Sequence, residues 1–319
     1  MKKDDKSRVQ SNLSPIKQGE RPKVLLLGNG INRAFSDSHI AWDELIGKMS
    51  REHHEPYEKK NFEDLPYPLK VVACTGDNVD EGLNNIAKHF MPKDISNGQQ
   101  EIIKSYIDIG FDAILTTNYS YEIEKAIDSA FMCEQGKASK YRKKSFAGNK
   151  VDEDLGIYRY MELNSENGKN NIWHIHGEAA KPNSMIIGHY YYGKLLSRIQ
   201  EYIQTIIKRR IGCNKYDKEY IPRNWIDYFM LGDVYIVGLG LDFSEMDLWW
   251  LINCKQRNQK KLDAGNIYWL EPNLNQDKNY GKKTLADLYG INVITEKVNG
   301  NNYRKYYKLL KNRIINQID

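Results

Sequence analysis

No run of this sequence is long and apolar enough to serve as a membrane span. Cysteine is scarce: Cys74, Cys133, Cys213 and Cys254 lie far apart and form no CxxC pair. That spacing excludes a four-cysteine zinc module and a disulfide framework, and four single thiols suit a reducing cytoplasm. Positive charge is in only small excess, +5 over 319 residues. Much of it is offset nearby, as in EKKNFED at 58–64 and VDED at 151–154. A compact basic stripe interleaved with aromatics is missing, so nucleic acid is not an expected partner. The densest basic patches, KYRKK at 140–144 and the tail at 301–317, read as solvated surface. The charged N-terminus has no apolar stretch behind it, which makes residues 1–22 a flexible arm and not a signal peptide. No internal repeat or heptad run is present.

What is there fits a folded α/β chain. The hydrophobic fraction is 40% and the charged fraction 28%, with many Tyr and Trp. KVLLLG at 23–28 is a short apolar run without polar alternation, the pattern of a strand buried on both faces. Further strands are expected at 112–117, 172–177, 233–238, 266–271 and 291–296. Helical spacing occurs at 40–49, 80–90, 98–110, 119–131, 190–209, 224–231, 244–255 and 282–290, with a terminal helix at the end. The alternation predicts a Rossmann-like, doubly wound parallel sheet with helices on both faces. Residues 23–319 form one domain, with a polar, proline-broken excursion at 51–78 and an inserted hairpin or loop module at 132–170.

Two glycines, Gly28 and Gly30, follow the first strand in VLLLGNGINRAF. Such a turn lets a ligand approach the main chain and points N–H groups at phosphate oxygens. Asn29, Asn32 and Arg33 belong to the same turn, with Arg33 suited to grip a diphosphate. The third glycine of the common dinucleotide fingerprint is missing, and so is the GKS or GKT of a P-loop. A tight strand-to-helix turn without ligand explains the glycines equally well.

The strand at 112–117 ends in Thr116, Thr117 and Asn118, which need partners or an open cleft. Asn118 carries both a donor and an acceptor, enough to grip a ribose hydroxyl or a water, or to cap the helix that follows. In IWHIHGE, His174 and His176 project to one face if the segment is extended. His176, placed before Gly177, is a candidate general base; a metal-binding or structural role for the pair stays open. Near the end, VYIVGLGLDFSEMDLWW places Gly238 and Gly240 at a strand terminus, with Asp242 in reach of ribose hydroxyls. Ser244 and Asp247 have the spacing of a helix cap.

Taken together, GNGINR at 28–33, LTTNY at 115–119, WHIHGE at 173–178 and IVGLGLDFSEMD at 236–247 resemble the SIR2-like family. The likeness is to the NAD-hydrolysing domains of bacterial anti-phage systems more than to zinc-containing protein deacylases. The resemblance implies that Gly28, Gly30 and Asn32 contact NAD phosphates and ribose. It places the catalytic asparagine at Asn118 and the catalytic histidine at His176, and has Gly238 and Gly240 hold the adenosine portion. Three departures stand out: the zinc module is missing, the first motif reads GNGIN, and Ser120 stands where relatives often carry Asp.

The implied activity is hydrolysis of the nicotinamide–ribosyl bond of NAD+ as substrate, giving nicotinamide and ADP-ribose, with no metal or added cofactor. A defence role implies external control, through homo-oligomerisation or a separately encoded regulatory protein. Two alternatives remain at this stage: a non-catalytic nucleotide-binding subunit, and zinc-independent deacylation or ADP-ribosyl transfer.

Overall fold

The computed structural model describes residues 13–35, 42–53, 62–75, 83–84, 86–145, 156–216, 218–272, 279–296, 298 and 302–318. Its strands are β1 (Lys23–Leu27), β2 (Ala113–Thr116), β3 (Arg142–Lys144), β4 (Arg159–Ser165), β5 (Gly168–His174), β6 (Asp233–Val237), β7 (Ile267–Leu270) and β8 (Ile291–Ile294). They form one sheet in the order β3-β4-β5-β2-β1-β6-β7-β8. The run from β5 to β8 is parallel, and β3 and β4 extend it antiparallel at one edge. From β1 the chain winds outward through β2 to β5, then restarts at β6 on the other side of β1. The fold is the expected doubly wound α/β arrangement, and β1/β6 is its topological switch point, where such sheets bind ligands beyond their carboxyl ends.

Strand periodicity sets two cores. Val24, Leu26, Ala113, Leu115, Val234 and Ile236 face one side, while Leu25, Leu27, Ile114, Tyr235 and Val237 face the other. Both faces are covered, which is why these strands are apolar at every position and not at alternate ones. The second core is roofed by α1 (Gly30–Phe35), α2 (Trp42–His53), α3 (Tyr67–Thr75), α4 (Asn97–Ile107), α5 (Glu122–Ile127) and α10 (Tyr303–Ile318). The first is roofed by α6 (His189–Lys215), α7 (Trp225–Leu231), α8 (Met246–Leu262) and α9 (Tyr280–Leu288). Among the described residues no helix is long and apolar enough to cross a membrane.

Several local expectations change. Residues 13–22 are packed against the body: Leu13 and Ile16 are buried, and Ile16 exchanges backbone hydrogen bonds with Tyr220. Within 132–170, the hairpin β4–β5 is part of the main sheet, because β5 pairs antiparallel with β4 and parallel with β2. β5 therefore starts at Gly168 and stops at His174, earlier at both ends than the strand read at 172–177. The excursion at 51–78 contains α3, and its residues 54–61 and 76–78 lie outside the described residues, as do 80–82 and 85 of the helix read at 80–90, whose described residues are helical and end in a 3-10 turn at Lys88–Phe90. The helix expected over 119–131 is confined to Glu122–Ile127. The basic tail is not a free surface, since α10 buries Tyr306, Tyr307, Leu310 and Ile314.

The parallel register ties the strand ends together. Leu27 pairs with Thr116 and Val237, Thr116 with His174, and Val237 with Leu270. The loops after these five residues therefore leave the sheet along one edge. At its centre the turns after β1 and β6 lock together: Gly28 N–H donates to Val237 O at 2.9 Å, and Gly30 N–H to Gly238 O at 2.7 Å. A β-carbon on Gly28 would lie 2.6 Å from Gly238 O, and Gly238 itself has φ +66°. Gly240, two residues on, has open space where a side chain would stand. Gly28→Ala is therefore expected to destabilise the fold by about 1–3 kcal/mol through overpacking. Gly240→Ala should leave stability within about 0.5 kcal/mol of wild type. Urea unfolding of both variants beside wild type checks the contrast.

Candidate active site

A cavity of about 800 Å³ opens over this edge. It falls in the range of about 300–1,000 Å³ usual for small-molecule sites. The turn after β1 contributes Asn29, Gly30 and Arg33, and the turn after β2 contributes Thr117, Asn118, Tyr119 and Ser120. His176 comes from the turn after β5, and Gly238, Gly240, Asp242, Ser244 and Glu245 from the segment after β6. Glu271 follows β7, Lys282 sits on α9, and Tyr303 and Tyr307 reach in from α10. Tyr67, Pro68 and Val71 of α3 close another side. Two expected ligand residues, Gly28 and Asn32, are not among the lining. Gly28 supports the turn from behind, and Asn32 is buried, donating to Asn29 Oδ1 at 3.3 Å and accepting from Gln99 Nε2 at 3.2 Å.

Asn118 is fixed by its backbone and leaves its side-chain amide open. Its N–H donates to Thr116 Oγ1 at 3.1 Å, and the Thr116 hydroxyl donates to Leu27 O at 2.8 Å. Its carbonyl accepts from His174 Nδ1 at 2.7 Å. Among the described residues its amide group has no partner and borders the cavity. Ser120, beside it, donates its hydroxyl proton to Glu122 Oε2 at 2.7 Å, which leaves the oxygen's lone pairs for the cavity.

The two histidines part company, because the chain leaves the strand after His174. His174 turns to Glu124 Oε1 at 2.9 Å, while His176 turns to Asp247 Oδ2 at 2.8 Å. They share no face and no ligand position, contrary to the extended-strand expectation. Gly177, with φ +89°, makes the turn, and a β-carbon there would strike Ser184 O at 2.0 Å. Tyr119 braces the turn from the neighbouring loop: its carbonyl accepts Ala179 N–H at 3.0 Å and its hydroxyl donates to Ile186 O at 2.9 Å.

Asp247 is not a helix cap. It is fully buried, aims at His176, and leaves Ser244 to Asp242, whose Oδ1 accepts both the Ser244 N–H at 2.9 Å and its hydroxyl at 2.6 Å. Burial opposes charge on the His176 ring, but the Asp247 carboxylate outweighs it and Glu245 adds to the pull, so its pKa is raised above 6.5. The arrangement leaves Nδ1 as the ring nitrogen without a partner among the described residues. Glu245 itself is pushed up to about 8 by burial, with Asp247 and Asp242 adding to the rise and His176 and Lys282 opposing it. Its Oε2 is buried without a hydrogen-bond partner among the described residues.

Groups of both charges line the cavity. Carboxyl groups cluster at the His176 end, where Asp242 and Glu245 line the wall and Asp247 lies behind it. Arg33 stands beside the first glycine turn, and Lys282 holds Gly240 O at 2.7 Å. Sequence reasoning missed Glu245, Glu271, Lys282, Tyr303 and Tyr307. Glu245 stood inside a quoted motif but followed no recognisable spacing, and the others come from elements that meet the cavity only through the winding of the sheet.

The His176–Asp247 pair has a testable pH signature. A histidine whose folded pKa is raised contributes stability that is fully present below its ordinary value of 6.5 and lost as pH rises through the folded value. Asp247→Asn should remove roughly 1.5–3 kcal/mol on the acid side. The gap from wild type should narrow as the ring loses its proton. Chemical denaturation at a series of pH values measures both.

Residues 112–220 match the model of a SIR2-like domain. The matched segment contains Thr117, Asn118 and His176, and stops short of β6 and the Gly238–Asp247 segment. No curated protein matches the chain significantly. The likeness is thus to the part of the chain that holds the Asn118 and His176 turns.

Proposed function

We propose that this chain is an NAD+ glycohydrolase that cleaves the nicotinamide–ribosyl bond to nicotinamide and ADP-ribose. The observation that carries the reading is that the Asn118 amide and the carboxylate-held His176 ring border one cavity at a topological switch point. The Arg33 side chain offers a cation for the diphosphate, whereas the N–H groups of Gly28 and Gly30 are already committed to Val237 O and Gly238 O. The carboxyl-rich end suits the opposite charge. Nicotinamide is cationic while attached and leaves neutral, so cleavage needs no acid for the leaving group but develops positive charge on the ribose. Asp242, together with Ser120 polarised toward Glu122, offers acceptor oxygens to that region, while the buried Glu245, pushed up to about 8, stands there mostly as the neutral acid at pH 7.

In this reading Asn118 orients the ribose or the attacking water, and His176 accepts the water's proton on Nδ1 while Asp247 holds Nε2. The orienting carboxylate fixes which nitrogen faces the cavity, the logic of other histidine bases. Gly238 and Gly240 lie where the adenosine half would rest, and Glu271 at the end of β7 is placed to meet its ribose. Such a reaction depletes NAD+, so the chain is proposed to act as a triggered anti-phage effector in the cytoplasm. Its control would come from homo-oligomerisation or a separately encoded partner.

Incubation of the assembled, triggered protein with NAD+, followed by chromatography, should yield nicotinamide and ADP-ribose. Asn118→Ala and His176→Ala should each slow this by roughly 100-fold or more. Turnover should fall as pH drops through the raised His176 pKa, because the base is then protonated. Binding of NAD+ without products would favour a regulatory nucleotide-binding subunit instead. Nicotinamide release that depends on an added peptide or protein would favour transfer chemistry.

A further inference from the structure

His174 has no place in the chemistry above, yet both of its ring nitrogens are held at hydrogen-bond distance from oxygen. Its Nδ1 lies 2.7 Å from the Asn118 carbonyl and its Nε2 lies 2.9 Å from Glu124 Oε1. A backbone carbonyl can only accept, and an ionised carboxylate can only accept. A neutral imidazole has one N–H and would set a lone pair against one of these oxygens at hydrogen-bond distance. Facing an ionised Glu124, the ring satisfies both only with a proton on each nitrogen.

We propose that His174 is a positioning residue of this site: a cationic ring, donating from both nitrogens, that fixes the Asn118 turn against helix α5. The inference rests on the reading of Asn118 as the residue that orients substrate. Two carboxylates near the ring support the charge, the second of them shared with an arginine. Glu124 of α5 is its direct partner and is fully buried. Glu178, in the turn after β5, adds a second carboxylate, already paired in a bidentate contact with Arg142 of β3 at 2.9 Å and accepting Tyr121 Oη at 2.9 Å. The Tyr121 ring lies against the imidazole with centroids 5.3 Å apart, and Cys133 sits close by Tyr121 and Glu124. Burial works against the charge, and Glu124 overcomes it, holding the ring's pKa at about 9.

The mechanical consequence is specific. The Asn118 carbonyl is pulled toward β5 by a charge-assisted bond while its N–H is held by Thr116, so the side-chain amide is left one direction, into the cavity. Loss of the proton from Nδ1, the nitrogen that faces a neutral carbonyl while Nε2 faces the Glu124 carboxylate, sets an acceptor against an acceptor and releases the Asn118 turn. Activity is thereby made to fall on the alkaline side, independently of the His176 limb at acid pH.

The test combines a spectroscopic and a kinetic arm on the full chain. Long-range nitrogen–proton NMR at pH 7.5 should show both His174 nitrogens protonated, with assignment by loss of the signals in His174→Gln. A neutral ring, with the proton residing on Glu124, would overturn the proposal. In the kinetic arm, Glu124→Gln should move the alkaline limb of turnover to lower pH by about one to two units, the size expected for loss of an adjacent opposite charge. His174→Gln should lower kcat by on the order of 10- to 100-fold with little change in KM. An alkaline limb unmoved by Glu124→Gln, or kcat unchanged in His174→Gln, would also overturn it. Wild-type protein that neither binds nor cleaves NAD+ would sink the reading of the site instead, and the NMR arm, which needs no substrate, would still decide the state of the ring.

Discussion

Everything in the site hangs on the close approach of two backbone turns. The loops leaving β1 and β6 pass within hydrogen-bond distance, Gly30 N–H to Gly238 O, with no side chain between them. That contact converts a change of winding direction into a crevice: the chain departs from β1 to one side and from β6 to the other, and the gap between the departing loops is the cavity. The glycines at 28 and 238 serve this packing first, and of the glycines in these two turns Gly30, Gly238 and Gly240 also border the cavity. A pair of glycines after a strand thus carries two physical meanings, and here the structural one is met at Gly28 whether or not a ligand follows.

Two histidine–carboxylate pairs flank the crevice with different geometries. His176 gives one nitrogen to Asp247 and keeps the other, which makes it able to exchange a proton. His174 commits both nitrogens to oxygen acceptors and has none to spare. The same residue type, two positions apart, has one open nitrogen in one case and two committed nitrogens in the other, according to where the strand stops. Sequence alone shows two histidines in alternating register; the end of β5 at His174 and the positive φ of Gly177 break that register.

The sheet was legible in the sequence because its central strands are short, apolar and bounded by glycine or polar residues, and the parallel architecture follows from their alternation with helices. Asn118 and His176 were legible as polar residues at strand ends, strengthened by the order of the surrounding blocks. Asp247 was visible but misread, since a carboxylate three residues after a serine has the spacing of a cap, and only the tertiary approach of β5 to α8 reveals its partner. The tail helix was misread as surface for a similar reason: Tyr306, Tyr307, Leu310 and Ile314 lie among lysines and arginines, and the apolar stripe is narrow. Arg142, in a run of basic residues, gave no sign that it would face the buried Glu178. Long-range pairing of charges leaves no local signature.

The presence of Tyr303 and Tyr307 in the wall has a temporal consequence. The cavity's lining runs from Asn29 to Tyr307, and its central strand pair joins Lys23 to Asp233. Contacts this distant along the chain form late, after most of the polypeptide has emerged and collapsed. A nascent or partly folded chain holds Asn118 and His176 on neighbouring strands but lacks the far wall. Completion of the cavity therefore waits on the docking of the last helix, which makes the site a late product of folding.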